Sequence, residues 1–395
     1  MYKFETMRKI LYFGLILLFS FSVFAQEKAT PVFVSGIDGY QSYRIPALIA
    51  LPNGDLLAFG EGRVNNAADY GDIDIVMKRS SDGGKTWGKI LVVADSEGLQ
   101  IGNSAPVVDL TDPNFPNGRI FLFFNTGDNH EYEVRTGKGL REVWYKTSTD
   151  NGATWSEAVN ITTHVHKPNQ PDRNSNYNFK EDWRTYANLP GHAIQIQNGK
   201  YRGRIYVAAN HSVGDPKNDW SDYTAHGFYS DDHGKTFQLS ENVNFPGSNE
   251  STAVELDNNR LMMNSRNQRG DFKSRIISIS DDGGETWAKT YIDKELIDPV
   301  NQGSTLLLEF RNEKAIIAFS NAADTEKRDN LTVKISDDSG ESWTKSILID
   351  KSPEGYKGDF IAYSDLVKID ENTIGILYER DNYSEIVFKA IEWRD

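Results

Sequence analysis

One eight-residue pattern recurs five times and constrains the fold more than any other feature of the chain. "SSDGGKTW" starts at Ser80, "STDNGATW" at Ser148, "SDDHGKTF" at Ser230, "SDDGGETW" at Ser280 and "SDDSGESW" at Ser336. All fit Ser-x-Asp-x-Gly-x-Thr/Ser-aromatic, at spacings of 68, 82, 50 and 56 residues. Aspartate at the third position caps backbone N–H groups in a tight turn, and glycine at the fifth accepts positive φ. The aromatic ring opens the outgoing strand and packs inward. A strand-like run precedes each copy: "DIDIVMKR", "REVWYKT", "HGFY", "SRIISI" and "LTVKI". Each octet therefore reads as a hairpin turn within a β-sheet unit. A calcium loop does not fit, because each copy offers too few ligands for the usual oxygen cage.

Repeats of this length, each holding several short strands, suit radial repetition of sheets. Five octets predict an all-β, six-bladed β-propeller in which one blade has lost its octet. "PVFVSG" near the start and "EIVFKAIEW" near the end would close that blade together. No Gly/Ser- or Pro-rich linker divides the chain, so residues 26–395 read as one domain. Residues 1–25 read differently. Lys3, Arg8 and Lys9 precede an apolar run from Ile10 to Phe24 that ends in "VFA" before Gln26. That is the pattern of a secretory signal, and the run falls short of the roughly 20 apolar residues a spanning helix needs. The expectation is an exported chain, periplasmic or secreted, without stable membrane insertion.

An exported chain with no cysteine depends on its core for stability. Without residues 1–25 it holds 40 basic and 56 acidic residues, a formal charge of −16. Nucleic-acid binding is not expected, because it calls for basic patches. An anionic ligand would need a local arginine cluster working against the global charge. Arg44 is the first candidate. It sits in "YRIPALIALPNGDLLAFGEGR", whose apolar runs on either side of Asn53-Gly54 read as two strands. A guanidinium stays charged, so Arg44 must reach solvent or meet an anion.

"YRIP" resembles the Tyr/Phe-Arg-Ile-Pro motif of the sialidases, and the octets resemble their Asp-boxes. The resemblance runs from Tyr43 to about Phe388. It implies that Arg44 is the first of three arginines clamping a sialic acid carboxylate, with Arg266 in "RLMMNSRNQ" and Arg328 in "EKRDNLTVKIS" as the others. Paired guanidinium donors suit a carboxylate in both charge and geometry. Glu379 in "LYERDNYSEIVF" would steady Arg44. Arg275 and Arg311 are read as solvated strand ends.

The same resemblance gives Tyr363 in "IAYSDL" as nucleophile and Glu250 in "NESTAVEL" as its base. Sialidases depart from the usual carboxylate pair of glycosidases by using tyrosine. The chemistry explains why: the anomeric carbon already bears a carboxylate, and tyrosine meets it as a neutral hydroxyl. Asp69 in "EGRVNNAADYGDIDIV" is the implied acid/base, with Asp72 and Asp74 competing for the role. Arg63 and Asn103 match positions near the sugar ring. His192 reads as packed or turn-stabilising, His164 and His166 as loop residues, and Trp220 or Tyr223 as an aromatic platform for the leaving sugar. No cofactor or metal is expected. The implied activity is a retaining exo-α-sialidase acting on sialylated glycans. A trans-sialidase or intramolecular trans-sialidase shares the catalytic set, and a noncatalytic sialic-acid-binding propeller would need only the arginines.

Overall fold

The computed structural model describes residues 28–394. The secretory-signal pattern of residues 1–25 lies outside the described residues. Among those described, 25 strands and two short helices, α1 (Glu131–Arg135) and α2 (Thr162–Val165), make up the regular structure. No described helix is long and apolar enough to cross a membrane.

The strands form five hydrogen-bonded sheets, and this corrects the expectation of six blades. Four sheets are of blade size, with four or five strands each, in a propeller-like arrangement. The fifth is a single eight-stranded sheet. After an opening strand β1 (Thr30–Val34), it takes in β2 (Ser42–Ala50), β3 (Leu56–Arg63), β4 (Ile73–Ser80), β5 (Leu91–Ala94), β6 (Gln100–Asp109), β7 (Arg119–Gly127), β8 (Arg141–Ser148) and β9 (Val159–Asn160). Its continuity has a local cause. Strand β5 pairs with β4 only from Ile75 to Met77, which leaves Ile73 free to form a parallel bridge with Gln100 of β6. The two chain ends meet as expected: β1 pairs antiparallel with the last strand, Glu385–Glu392, matching Thr30 with Phe388.

The core lies between neighbouring sheets. Phe121 and Phe123 of β7 pack with Tyr206 and Phe228 of the next sheet, and Met262 with Phe319 and Trp343 further round. Leu48 and Phe33 join Leu377 and Phe388, which brings the last sheet against the first. Burial of a large apolar side chain is worth about 1.5–3 kcal/mol, so these inter-sheet seams hold the ring closed.

The octets are turns built from their own side chains. In all five copies the serine hydroxyl donates to the aspartate at 2.7–2.9 Å. The octet glycine N–H donates to that serine oxygen at 2.8–2.9 Å. The following Thr/Ser N–H donates to the aspartate at 2.9 Å in every copy. The glycine is required twice over. Gly284 has φ +94°, and a Cβ there would lie 2.3 Å from Tyr206 of the preceding sheet. At Gly284 the turn is thus also a contact between sheets.

These hydrogen bonds predict an acid limit to stability. Bonds from the Thr86 hydroxyl and amide, and then from Ser80, lower Asp82 to about 2; Thr154 does the same for Asp150. A carboxyl depressed in the folded state stabilises above its unfolded value of about 3.9, and that contribution is lost as pH falls toward 2. The melting temperature should therefore drop between pH 4 and pH 2. The drop should be shallower in Asp82→Asn/Asp150→Asn, and an unchanged slope in that variant would contradict this account.

Candidate active site

Strand irregularities aim the site. Register shifts interrupt strand pairing between Arg44 and Ala47, between Gly102 and Ala105, between Ser248 and Ser251, and between Ile361 and Ser364. Those four breaks carry Arg44, Asn103, Glu250 and Tyr363. A bulge adds a residue to one strand and re-aims its side chains, often beside active sites. Ile45 shows the conformational cost, since a β-branched residue holds φ +58°. Its N–H is tied to Glu379 at 2.8 Å.

The bulged strands converge on a cavity of about 230 Å³. Arg44, Arg63, Asp69, Asn103, Glu250, Arg266, Arg328 and Tyr363 all line it. Glu379, the ninth expected residue, is fully buried behind them. Its carboxylate accepts from Arg44 Nε at 2.6 Å on one oxygen and from the Tyr363 N–H at 3.0 Å on the other. One buried group therefore sets both an arginine and the tyrosine. Five arginines and four acids face the cavity, giving local positive charge in a chain whose formal net charge is −14.

Tyr363, Glu250 and Arg266 form one unit. The phenol donates to Glu250 Oε1 at 2.5 Å, while Arg266 Nη1 donates to Glu250 Oε2 at 2.7 Å and to the phenol oxygen at 3.1 Å. Burial, followed by the charge of Glu250, raises the Tyr363 pKa well above its ordinary value; Arg266, Arg328 and Arg44 offset this only in part. The phenol is neutral at rest and donates to a carboxylate oxygen at short hydrogen-bond distance. Arg44 and Arg328 approach its ring at 5.5 and 5.7 Å. Arg328 is held by the Tyr383 hydroxyl at 3.1 Å.

Asp69 stands on the exposed loop between β3 and β4, with its side chain 71 % exposed. It accepts from Arg63 at 2.7 Å and lies 3.9 Å from Arg44. Partial desolvation in the cavity pushes its carboxyl up, but Arg63 and Arg44 outweigh that and hold it below the usual value. Asp72 and Asp74 do not line the cavity; Asp74 is buried and accepts from the Tyr40 hydroxyl at 2.7 Å. Arg63 is itself fixed by Glu61 at 2.6 Å, and Glu61 also accepts from the Asn103 N–H at 2.9 Å.

Several other readings change. Arg275 is not solvated: it is fully buried and paired with Asp298 at 3.0 Å, whereas Arg311 is half-exposed. Tyr223 is buried, and its hydroxyl bonds Glu131, so it offers no face to a sugar; Trp220 lies against the Arg135 guanidinium at 4.3 Å. His164 lies in α2 rather than in a loop and is exposed, while His166, which caps that helix, is buried. His192 packs as expected, its Nδ1 2.8 Å from Asp365. Glu61 and Tyr383 were not anticipated. The alternation in "EGR", which puts Glu61 on the same strand face as Arg63, was the available signal for Glu61.

The BNR repeat-like domain family matches residues 54–376. A sialidase of Micromonospora viridifaciens is 32% identical over 372 residues, covering 88% of this chain and 51% of its own length. A sialidase of Bacteroides fragilis is 28% identical over 390 residues, covering 91% and 64% respectively. The chain thus spans between half and two thirds of these curated relatives. Among solved structures, the Hadza microbial sialidase Hz136 superposes with a TM-score of 0.75 at 26% identity, over 92% of this chain and 68% of that one. The ring of sheets is a sialidase-like β-propeller, and the chain belongs to the BNR repeat-like domain family as a member of the sialidase family.

Proposed function

We propose that this chain is an exported, retaining exo-α-sialidase that releases terminal sialic acid from sialylated glycans. The observation that carries the reading is the 2.5 Å bond from the Tyr363 hydroxyl to Glu250 beside Arg44, Arg266 and Arg328. A binding protein needs the arginines but has no use for a phenol held against a base.

In this reading the three arginines take the sialic acid carboxylate and turn the anomeric carbon toward Tyr363. Asp69 protonates the departing glycosidic oxygen. Tyr363 attacks as its proton passes to Glu250, and Arg266, which bonds both groups, stabilises the negative charge as it shifts from Glu250 to the phenolic oxygen. Asp69, now a base, activates water to cleave the sialyl–tyrosine bond, and Glu250 returns its proton to the departing tyrosine oxygen. Arg63 and Arg44 keep Asp69 ionised at rest, which opposes its first role. Substrate carboxylate entering the arginine cluster offsets that cationic field and favours protonation of Asp69.

The test is incubation with sialyllactose, with the product identified by mass. Free sialic acid is expected; a product lighter by one water would replace this reading with intramolecular transfer, and no product would overturn it. Asp69→Asn should slow sialyllactose far more than an activated aryl sialoside, whose leaving group needs no proton, by about 10²–10⁴ against a smaller loss. Equal losses on both substrates would remove Asp69 from the acid role.

A further inference from the structure

A fifth cavity arginine has no place in the proposed reaction. Arg141 opens β8, is 6 % exposed and lines the cavity. Arg44, Arg63 and Arg266 each pair with a carboxylate. Arg141 forms no ion pair among the described residues, although burial works against its charge. Among the described residues its guanidinium makes one hydrogen bond, from Nη1 to the side-chain oxygen of Gln100, and the Nε and Nη2 donors meet no acceptor there.

The backbone makes room for this guanidinium. Gly127 pairs with Gln100 on one side and with Arg141 on the other. A Cβ at Gly127 would lie 1.5 Å from Arg141 Nη1. The bridge between Ile73 and Gln100 extends the row through Arg63 to Ser42, so one line of paired residues crosses the eight-stranded sheet and carries both Arg63 and Arg141. Asn210, also cavity-lining, is 2 % exposed and its side-chain NH₂ has no partner in the protein. A buried amide donor like that of Asn210 is costly unless an acceptor meets it.

Resting on the sialidase reading, we propose that Arg141, aimed by Gln100 and assisted by Asn210, recognises a hydroxyl-bearing substituent of the bound sugar. The carboxylate is already met by three arginines, so the donors left over on Arg141 and the buried Asn210 amide point to a second oxygen on the same ligand. Arg141 is thereby a specificity residue that favours the hydroxylated form over an analogue lacking that group. A site built to hydrogen-bond a substrate hydroxyl rejects the analogue without it far more strongly than an apolar pocket discriminates by size.

Two substrate pairs test this: N-glycolyl against N-acetyl sialosides, and sialosides with and without the terminal hydroxyl of the three-carbon side chain. The protein should prefer the hydroxylated member of at least one pair by about 10- to 100-fold in kcat/KM, the range expected of a hydrogen bond to a charged donor. In Arg141→Met that ratio should fall toward one, and in Gln100→Met it should fall part of the way. Each ratio is taken on a single preparation, so partial misfolding cancels. Calorimetric binding of the corresponding free sugars gives the same comparison without turnover; binding preference with no hydrolysis would count against the sialidase reading alone. Ratios left unchanged by Arg141→Met in both pairs, or no preference in either, would overturn the assignment.

Discussion

Tyr363→Phe should lower kcat by about 10³-fold or more, and Glu250→Gln by about 10²–10⁴. The double variant should be little worse than Tyr363→Phe alone. The phenol and carboxylate are joined at 2.5 Å, and burial keeps the phenol protonated at rest, so neither works without the other. Groups that act as a unit give non-additive losses. Folding should survive, because Tyr363→Phe keeps the ring packed between Arg44 and Arg328 and deletes one oxygen. Losses that multiplied in the double variant would show that Glu250 and Tyr363 serve separate steps.

The second large effect separates two arginines that a sequence comparison would treat alike. Arg328 is tied to the Tyr383 hydroxyl, whereas Arg266 also holds Glu250 and Tyr363. A planar, unsaturated sialic acid analogue copies the flattened transition state and should inhibit. Arg328→Ala should weaken that inhibitor by about 10²-fold, since a hydrogen bond to a charged group is worth roughly 1.5–3 kcal/mol. Arg266→Ala should weaken it similarly and also lower kcat on saturating substrate, because it strips Glu250 of its cation. Inhibition of Arg328→Ala equal to that of the parent protein would remove Arg328 from the carboxylate site.

Some of this was legible in the sequence because the physics is local. The octets carry their own donors and acceptors within seven residues, so turn and strand follow from composition at each copy. The nine site residues came from motif context rather than from periodicity, and eight of them share a cavity while the ninth braces it. Long-range pairing was not legible. The eight-stranded sheet depends on one bridge, Ile73 to Gln100, which nothing in either segment announces. Arg275 looked like a strand end because its partner Asp298 is 23 residues away. Arg141 is informative because it forms no ion pair among the described residues, and that cannot be read along a chain. The bulge at Ile45 was hidden for a related reason: an isoleucine held at φ +58° contradicts its own preference and needs Glu379 to hold it.

The central proposal is that Tyr363 forms and then loses a bond to the anomeric carbon. Two displacements on opposite faces restore the starting configuration, so the α-anomer of free sialic acid should appear first and mutarotate afterwards; direct attack by water would give the β-anomer at once. A fluorinated sialosyl fluoride should also arrest the first displacement and add its mass to the peptide containing Tyr363, more slowly in Glu250→Gln. The decisive measurement is proton NMR in the first minutes of sialyllactose turnover. α-Sialic acid as the initial product is the predicted result, and initial β-sialic acid would contradict the account.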